Sequence, residues 1–342
     1  MNVAVATMAD VAREAGVSQS TVSRVFSLPE TVRADTRLRV LEAARRLEFT
    51  PNRAASALAR GRTRTLGLLV PDVVNPYYAE IIKAVQRRTR AKSHALFLAD
   101  TGDDPEDGLE LAQAMAGQTD GLLLAGPRMA DSMVQELAQA GPVALIGARV
   151  DGVDSAYADL ATGMRHVLRH LAALGHAKIV YVDGTLAART PGHRQPMRDA
   201  CEEYGVELVE QLGPFALTFD DGVAAADLVP TSGATAVIAH NEMVALGVAG
   251  GLARQGRSVP GEFSLVTVDD TFMARATYPA LTALHIPLDV MGARGVDLLL
   301  RRIEAAESEA RHLTLPTSLV VRASTGAPHR GGGRADTAGP GL

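Results

Sequence analysis

Seven short apolar runs recur along the chain, each separated from the next by segments with helical periodicity. They are "TLGLLVPD" from Thr65, "ALFLAD" from Ala95, "GLLLAG" from Gly121, "PVALIG" from Pro142, "KIVYVDG" from Lys178, "TAVIAH" from Thr235 and "SLVTVDD" from Ser264. Continuous rather than alternating apolar character marks strands buried on both faces, as in a parallel sheet covered by crossover helices. From Leu66 onward the chain is therefore expected to be doubly wound α/β, with ligand contacts at the carboxyl ends of the strands. Its 342 residues, 47% hydrophobic and 21% charged, suffice for two or three domains with cores of their own.

The first 49 residues follow another pattern, that of three short helices. "TMADVAREAG" opens on Thr7 as N-cap with Asp10 three residues on, an acidic variant of the capping box, and closes at Gly16. Ser18 caps a second helix that carries Val22 and Val25 on one side. "ADTRLRVLEAARRLEF" makes a third, with Leu38, Leu41, Ala44 and Leu47 as its apolar stripe. Ala15-Gly16-Val17 leaves room only for a tight turn, and two short helices so joined are a helix-turn-helix. With Val17, Val22 and Val25 facing the small core, Gln19, Ser20, Ser23 and Arg24 are left outside. Glutamine pairs with adenine N6 and N7, arginine with guanine O6 and N7, and serine with either. A bland surface helix would carry Glu and Lys in place of the serines, which are weaker helix formers.

Charge divides the chain in the same place. The net charge is −5, but residues 1–65 hold 11 Arg, no Lys and 6 acidic residues, while the remainder carries −10. A basic head on an acidic body suits a small domain that meets phosphate while the rest stays away from it. A lone cysteine, Cys201, permits no internal disulfide. The amino terminus lacks a secretory signal pattern, and no window of 18 apolar residues predicts a membrane span. Cytoplasmic location is the expectation.

The stretch "MADVAREAGVSQSTVSRVFSLPETVRADTRLRVLEAARRLEFTPNRAASALARGRTRTLGLLVPDVVNPYYAEI" resembles the start of a lactose/galactose-repressor family transcription factor. "ATAVIAHNEMVALGVAGGLARQGRSVPGEFSLVTVDD" and "YPALTALHIPLDVMGARGVDLLLRRI" resemble later blocks of that family, so the resemblance covers nearly the whole chain. It implies an N-terminal all-α helix-turn-helix domain plus an α/β periplasmic-binding-protein-like core of two doubly wound parallel-sheet subdomains. The helix-turn-helix would occupy residues 1–49, a hinge linker 50–65, and the effector-binding and dimerisation domain 66–326. Subdomain one would comprise about 66–160 and 290–318, subdomain two about 161–289 and 319–326, and 327–342 would be a disordered tail. The linker "TPNRAASALARGRTRT" is too short for a stable isolated helix. In the family it forms a hinge helix on the operator, with the residue matching Leu58 wedged into the minor groove.

The implied DNA contacts are Thr7, Ser18, Gln19, Ser20, Thr21, Ser23 and Arg24 in the helices, with Asn52, Arg53, Ala55 and Leu58 in the linker. The implied effector contacts are Asp72, Asn75, Tyr77, Tyr78, Arg194, Asn241 and Asp269, Arg194 matching the family's effector clamp. A strand-end Asp is more commonly a turn former or helix N-cap, and that reading stands beside the ligand one. Gly147 stands where relatives often have Asp, and Pro196 and Met197 replace the usual Gly-Phe. The expected partners are a double-stranded operator, a sugar or related metabolite, and a second copy of the chain, with no membrane and no cofactor. His166 and His170 have the spacing of zinc ligands but no third ligand is evident, and no nucleophile or nucleotide-binding motif points to an enzyme. A solute-binding protein of the same core fold is the alternative, and the head segment argues against it.

Overall fold

Helix α1 (Met8–Ala15) starts where the sequence places its capping box. Asp10 Oδ2 accepts from Thr7 Oγ1 at 2.6 Å and from the Thr7 amide at 3.0 Å, and the Asp10 amide donates back to Thr7 Oγ1. The helix ends at Gly16, whose φ of 65° is left-handed backbone that glycine adopts without a Cβ penalty. Helix α2 (Gln19–Ser27) follows directly, its first turn tied by the Thr21 amide donating to Ser18 Oγ at 3.2 Å. Helix α3 (Ala34–Arg46) completes a small core of Val11, Ala12, Ala15, Val22, Val25, Val40, Ala43 and Ala44. The stripe expected on α3 holds at its C-terminal half, where Ala44 is buried and Leu47 packs against the core, but Val40 and Ala43 are buried in place of Leu38 and Leu41, which are 61% and 44% exposed. With two short helices to pack against, the smaller side chains of α3 make the closer approach.

The computed structural model describes residues 6–27, 29–49, 63–184, 191–305 and 309–329, and divides into compact units at Arg64/Thr65. In the second unit, β1 (Thr65–Val70), β2 (Ala95–Asp100), β3 (Gly121–Ala125), β4 (Val143–Ile146), β5 (Asp154–Ala158) and β11 (His312–Leu315) form one parallel sheet in the order β11-β5-β4-β3-β1-β2. A second sheet, ordered β12-β10-β9-β8-β6-β7, contains β6 (Lys178–Gly184), β7 (Glu207–Phe215), β8 (Ala236–Ala239), β9 (Ser264–Val268), β10 (Thr282–His285) and β12 (Ser318–Val320). All seven apolar runs are strands in these sheets, and only β12 runs antiparallel to its neighbour. One expectation fails at β2, which pairs on one side only and leaves Phe97 and Leu98 each 46% exposed.

Helices cover both sheets. Those that begin at strand ends are α4 (Pro76–Ala91), α5 (Pro105–Ala116), α6 (Asp131–Ala140), α7 (Leu160–Leu174), α8 (Pro191–Tyr204), α9 (Phe219–Leu228), α10 (Glu242–Arg254) and the short α11 (Phe272–Ala276). Helix α12 (Leu288–Glu304) returns to the first sheet, with Gly292 against Ala84 of α4 and Gly295 against Ile146 of β4. A methyl at Gly295 would lie 2.5 Å from the Ile146 side chain, so the glycine permits this approach. Gly326, just before the expected tail, is held by His176; of the tail only 327–329 are among the described residues.

Candidate functional site

On the head, the face of α2 opposite its valines is open. Ser18, Gln19, Ser20, Ser23 and Arg24 are exposed and Thr21 is half-buried, while Val22 and Val25 are buried. Three of these hydroxyls interact locally: Ser18 Oγ lies 2.8 Å from Ser20 Oγ and 2.9 Å from Thr21 Oγ1. Gln19, Ser23 and Arg24 make no hydrogen bond to described residues and keep their full capacity for an external partner. Thr7 is exposed but engaged by Asp10, whose carboxyl is held below the usual range by those hydrogen bonds. Asn52, Arg53, Ala55 and Leu58 lie outside the described residues.

In the body, a cavity of about 560 Å³ opens at the carboxyl ends of the strands of both sheets. Five of the seven expected residues line it: Asn75, Tyr77, Tyr78, Asn241 and Asp269. Asn75 Oδ1 caps α4 by accepting from the Tyr77 amide at 3.0 Å. Asn241 caps α10, with Oδ1 accepting from the Val244 amide at 2.9 Å and Nδ2 donating to the Leu217 carbonyl at 3.2 Å. Both asparagines thus spend much of their hydrogen bonding on the fold. The Tyr77 and Tyr78 rings meet edge to face, centroids 5.0 Å apart. Burial pushes the Tyr78 hydroxyl up to about 12 and also raises that of Tyr77 well above its ordinary value, and neither hydroxyl has a hydrogen-bond partner among the described residues.

Asp269 has the strongest claim to a ligand. It follows β9 in left-handed backbone at φ 76°, is 6% exposed, and accepts no hydrogen bond from any described residue. Strained backbone of this kind at a non-glycine residue persists only where the surroundings over-determine it. Burial, with Glu242 and Glu80 adding like charge, raises its carboxyl well above the usual range. Glu242 is itself occupied by the Thr271 amide at 2.6 Å and by the Thr271 hydroxyl.

Two expected residues are not in the lining. Asp72 Oδ1 accepts from the Val74 amide at 2.7 Å, the turn-forming role of a strand-end aspartate. Arg194 is turned to Asp183 at the end of β6, whose Oδ2 accepts from its Nε in an ion pair. The preceding residue, His193, lines the cavity together with His240. The sequence reading selects the adjacent Arg194 and Asn241 instead, although "HRQPMRDA" and "TAVIAH" place the two imidazoles at a helix start and a strand end. Gly147 and Pro196 also line the cavity. At Gly147, φ is 74° and a methyl would lie 3.0 Å from Tyr77 Oη, so the aspartate often found in relatives would compete with that ring for space.

His170 Nε2 lies 2.9 Å from Thr325 Oγ1, a structural contact. Among the described residues no group of three or more His, Cys, Asp or Glu is arranged to hold a metal ion, and no helix is long and apolar enough to cross a membrane.

Residues 7–52 match the family described as bacterial regulatory proteins, lacI family, and residues 168–325 match a periplasmic binding protein-like domain. The HTH-type transcriptional regulator CelR of Thermobifida fusca is 33% identical over 338 residues, covering 93% of this chain and 98% of its own. Among solved structures, the lac repressor dimer bound to operator and the anti-inducer ONPF superposes with a TM-score of 0.84 at 25% identity, covering 94% of this chain and 99% of that one. A CelR-cellobiose complex gives a TM-score of 0.68 at 29% identity, with coverages of 93% and 99%.

Proposed function

The chain belongs to the lacI family of bacterial regulatory proteins, and we propose that it is a sequence-specific transcriptional repressor whose hold on DNA is set by a small-molecule effector. The observation that carries this reading is the face of α2, where Gln19, Ser23 and Arg24 stand exposed and unspent beside a valine-anchored core. Arginine bidentate to guanine and glutamine bidentate to adenine are the pairings such a face supplies in the major groove. Two copies of the chain bind a pseudo-palindromic operator, since a two-fold dimer matches a two-fold site. The linker adds Asn52, Arg53 and Ala55 to the DNA contacts, with Leu58 as a minor-groove wedge.

The effector is a sugar or related metabolite held by Asp269, with Tyr77, Tyr78, Asn75 and Asn241 shaping the cavity. The cellobiose complex of the CelR structure supports that class. Operator and effector then change each other's affinity by the same factor. No catalytic role is assigned, and the cytoplasm, where the DNA is, is the place of action.

Selection of duplexes from a random pool, followed by a salt titration on the winner, tests the DNA reading. A preferred pseudo-palindrome with a steep negative log-log slope is expected; a slope near zero defeats the proposal. Arg24→Ala should cost about 1 to 3 kcal/mol at one base position, and an equal loss on every sequence would make Arg24 a backbone contact. Leu58→Ala should reduce operator bending, read by gel phasing.

A further inference from the structure

The second sheet's share of the cavity wall contains a buried polar relay. Tyr181 Oη lies 3.2 Å from His193 Nδ1 and 2.9 Å from His240 Nδ1, and His240 Nδ1 lies 3.2 Å from Asp183 Oδ1. The two imidazoles stack at 4.2 Å with their planes 11° apart. Both line the cavity, each is 7% exposed, and neither Nε2 has a partner among the described residues. With both Nδ1 atoms directed at one phenol, both Nε2 atoms point away from it.

We propose that His193 and His240 are specificity-determining residues of the effector site, presenting a hydrogen-bond donor and an acceptor side by side to an uncharged polyhydroxylated ligand. The proposal rests on the effector reading above. Asp183, ion-paired through its other oxygen with Arg194, has no proton to give. His240 Nδ1 must therefore carry the proton, and in the neutral ring this leaves Nε2 as an acceptor. The phenol of Tyr181 accepts from His240 and has a single proton of its own, which goes to His193 Nδ1. A neutral His193 then carries its proton on Nε2 and donates into the cavity. Tyr181 and Asp183 are positioning residues: they choose the tautomers without touching the ligand.

The surroundings favour a neutral ligand. Burial, reinforced by the stacked His240, holds the His193 imidazole well below its usual range, so that ring brings no positive charge at neutral pH. The lining cations are already matched, Arg128 to Asp103 at 2.7 Å and Arg149 to Asp151 at 3.2 Å. Asp269 is a buried acidic group in want of a donor. Among the described lining residues a phosphate or carboxylate would find no cation without an acidic partner to neutralise it. A vicinal diol satisfies the pair, one oxygen accepting from His193 while the neighbouring hydroxyl donates to His240, and further hydroxyls reach Asp269 and the tyrosine hydroxyls. These groups are spread around the wall, and the edge-to-face tyrosines offer no parallel slot for a flat heterocycle.

Nitrogen NMR of the full chain labelled with 15N-histidine separates the two tautomers in the absence of ligand, with His193→Gln and His240→Gln supplying the assignments. His240 should be protonated at Nδ1 and His193 at Nε2, and Tyr181→Phe should leave His240 unchanged while releasing His193 into a mixture. The same tautomer on both rings, or an unaltered His193 in Tyr181→Phe, overturns the relay. Thermal shifts with ribose, cellobiose, ribose 5-phosphate and hypoxanthine test the ligand class. A neutral saccharide should stabilise the protein, and its affinity should fall about five- to tenfold in Tyr181→Phe. Preference for the phosphate or hypoxanthine, or no response to any probe, overturns the assigned class. Failure of the regulatory reading would register separately, as absence of a selected operator.

Discussion

The two sheets of the body share a strand plan but fasten their last strands with different chemistry. In the first, Asp154 at the start of β5 is fully buried; it accepts from Arg302 Nε at 2.8 Å and the Arg311 amide at 2.7 Å, and is paired with Arg301. One carboxylate thus ties β5, α12 and the approach to β11. In the second, His176 plays that part: Nδ1 meets Thr235 Oγ1 at 2.7 Å, and Nε2 meets Ser264 Oγ and the Gly326 carbonyl at 2.9 Å. Here the imidazole is better neutral, and burial holds it below its ordinary range. Similar topologies therefore answer to different stresses, one half to loss of an ion cluster and the other to acid.

The largest effect should come from Asp154→Ala, which strands two arginines beside a buried strand end and should cost about 3 to 5 kcal/mol. Urea unfolding measures it, and a loss below about 1 kcal/mol would mean that the first half is held elsewhere. His176→Leu removes three hydrogen bonds from the second half and should cost about 1 to 3 kcal/mol at neutral pH by the same assay. It should also alter the response to acid. His170, His176 and His193 all have folded values lowered from 6.5, so the native state binds fewer protons than the unfolded chain. Their contribution is complete above the unfolded value of 6.5 and declines as pH falls below it. The decline should shrink in His176→Leu and persist in Asp154→Ala; equal acid curves would erase the contrast between the halves. Smallest is Gly147→Ala, about 1 kcal/mol from left-handed backbone alone, with Tyr77 displaced and effector affinity changed more than stability.

What the sequence disclosed depended on where apolar side chains were needed. The seven apolar runs were legible because all but β2 lie between neighbours. The remaining strands were not: β5 is "DSAYA", with Asp154 and Ser155 buried by hydrogen bonding, and β11 and β12 are short edges. The first half of the α3 stripe shows the same limit, since helical spacing alone fits Leu38 and Leu41 as well as Val40 and Ala43. In the cavity, strand-end logic reached Asp269 and Asn241. It missed His193 because Arg194 looked the better ligand, and only the fold brings Asp183 across to consume that charge.

Helix α12 and strand β11 complete the first sheet only after the chain has built most of the second. During synthesis the earlier half must wait on the ribosome, lacking the helix that covers β3 and β4 and the strand that flanks β5. A nascent chain halted near residue 287 would own neither half in finished form. Long-range closure of this kind slows folding, and it makes a prematurely released fragment a matter for chaperones and proteases rather than a working ligand receptor.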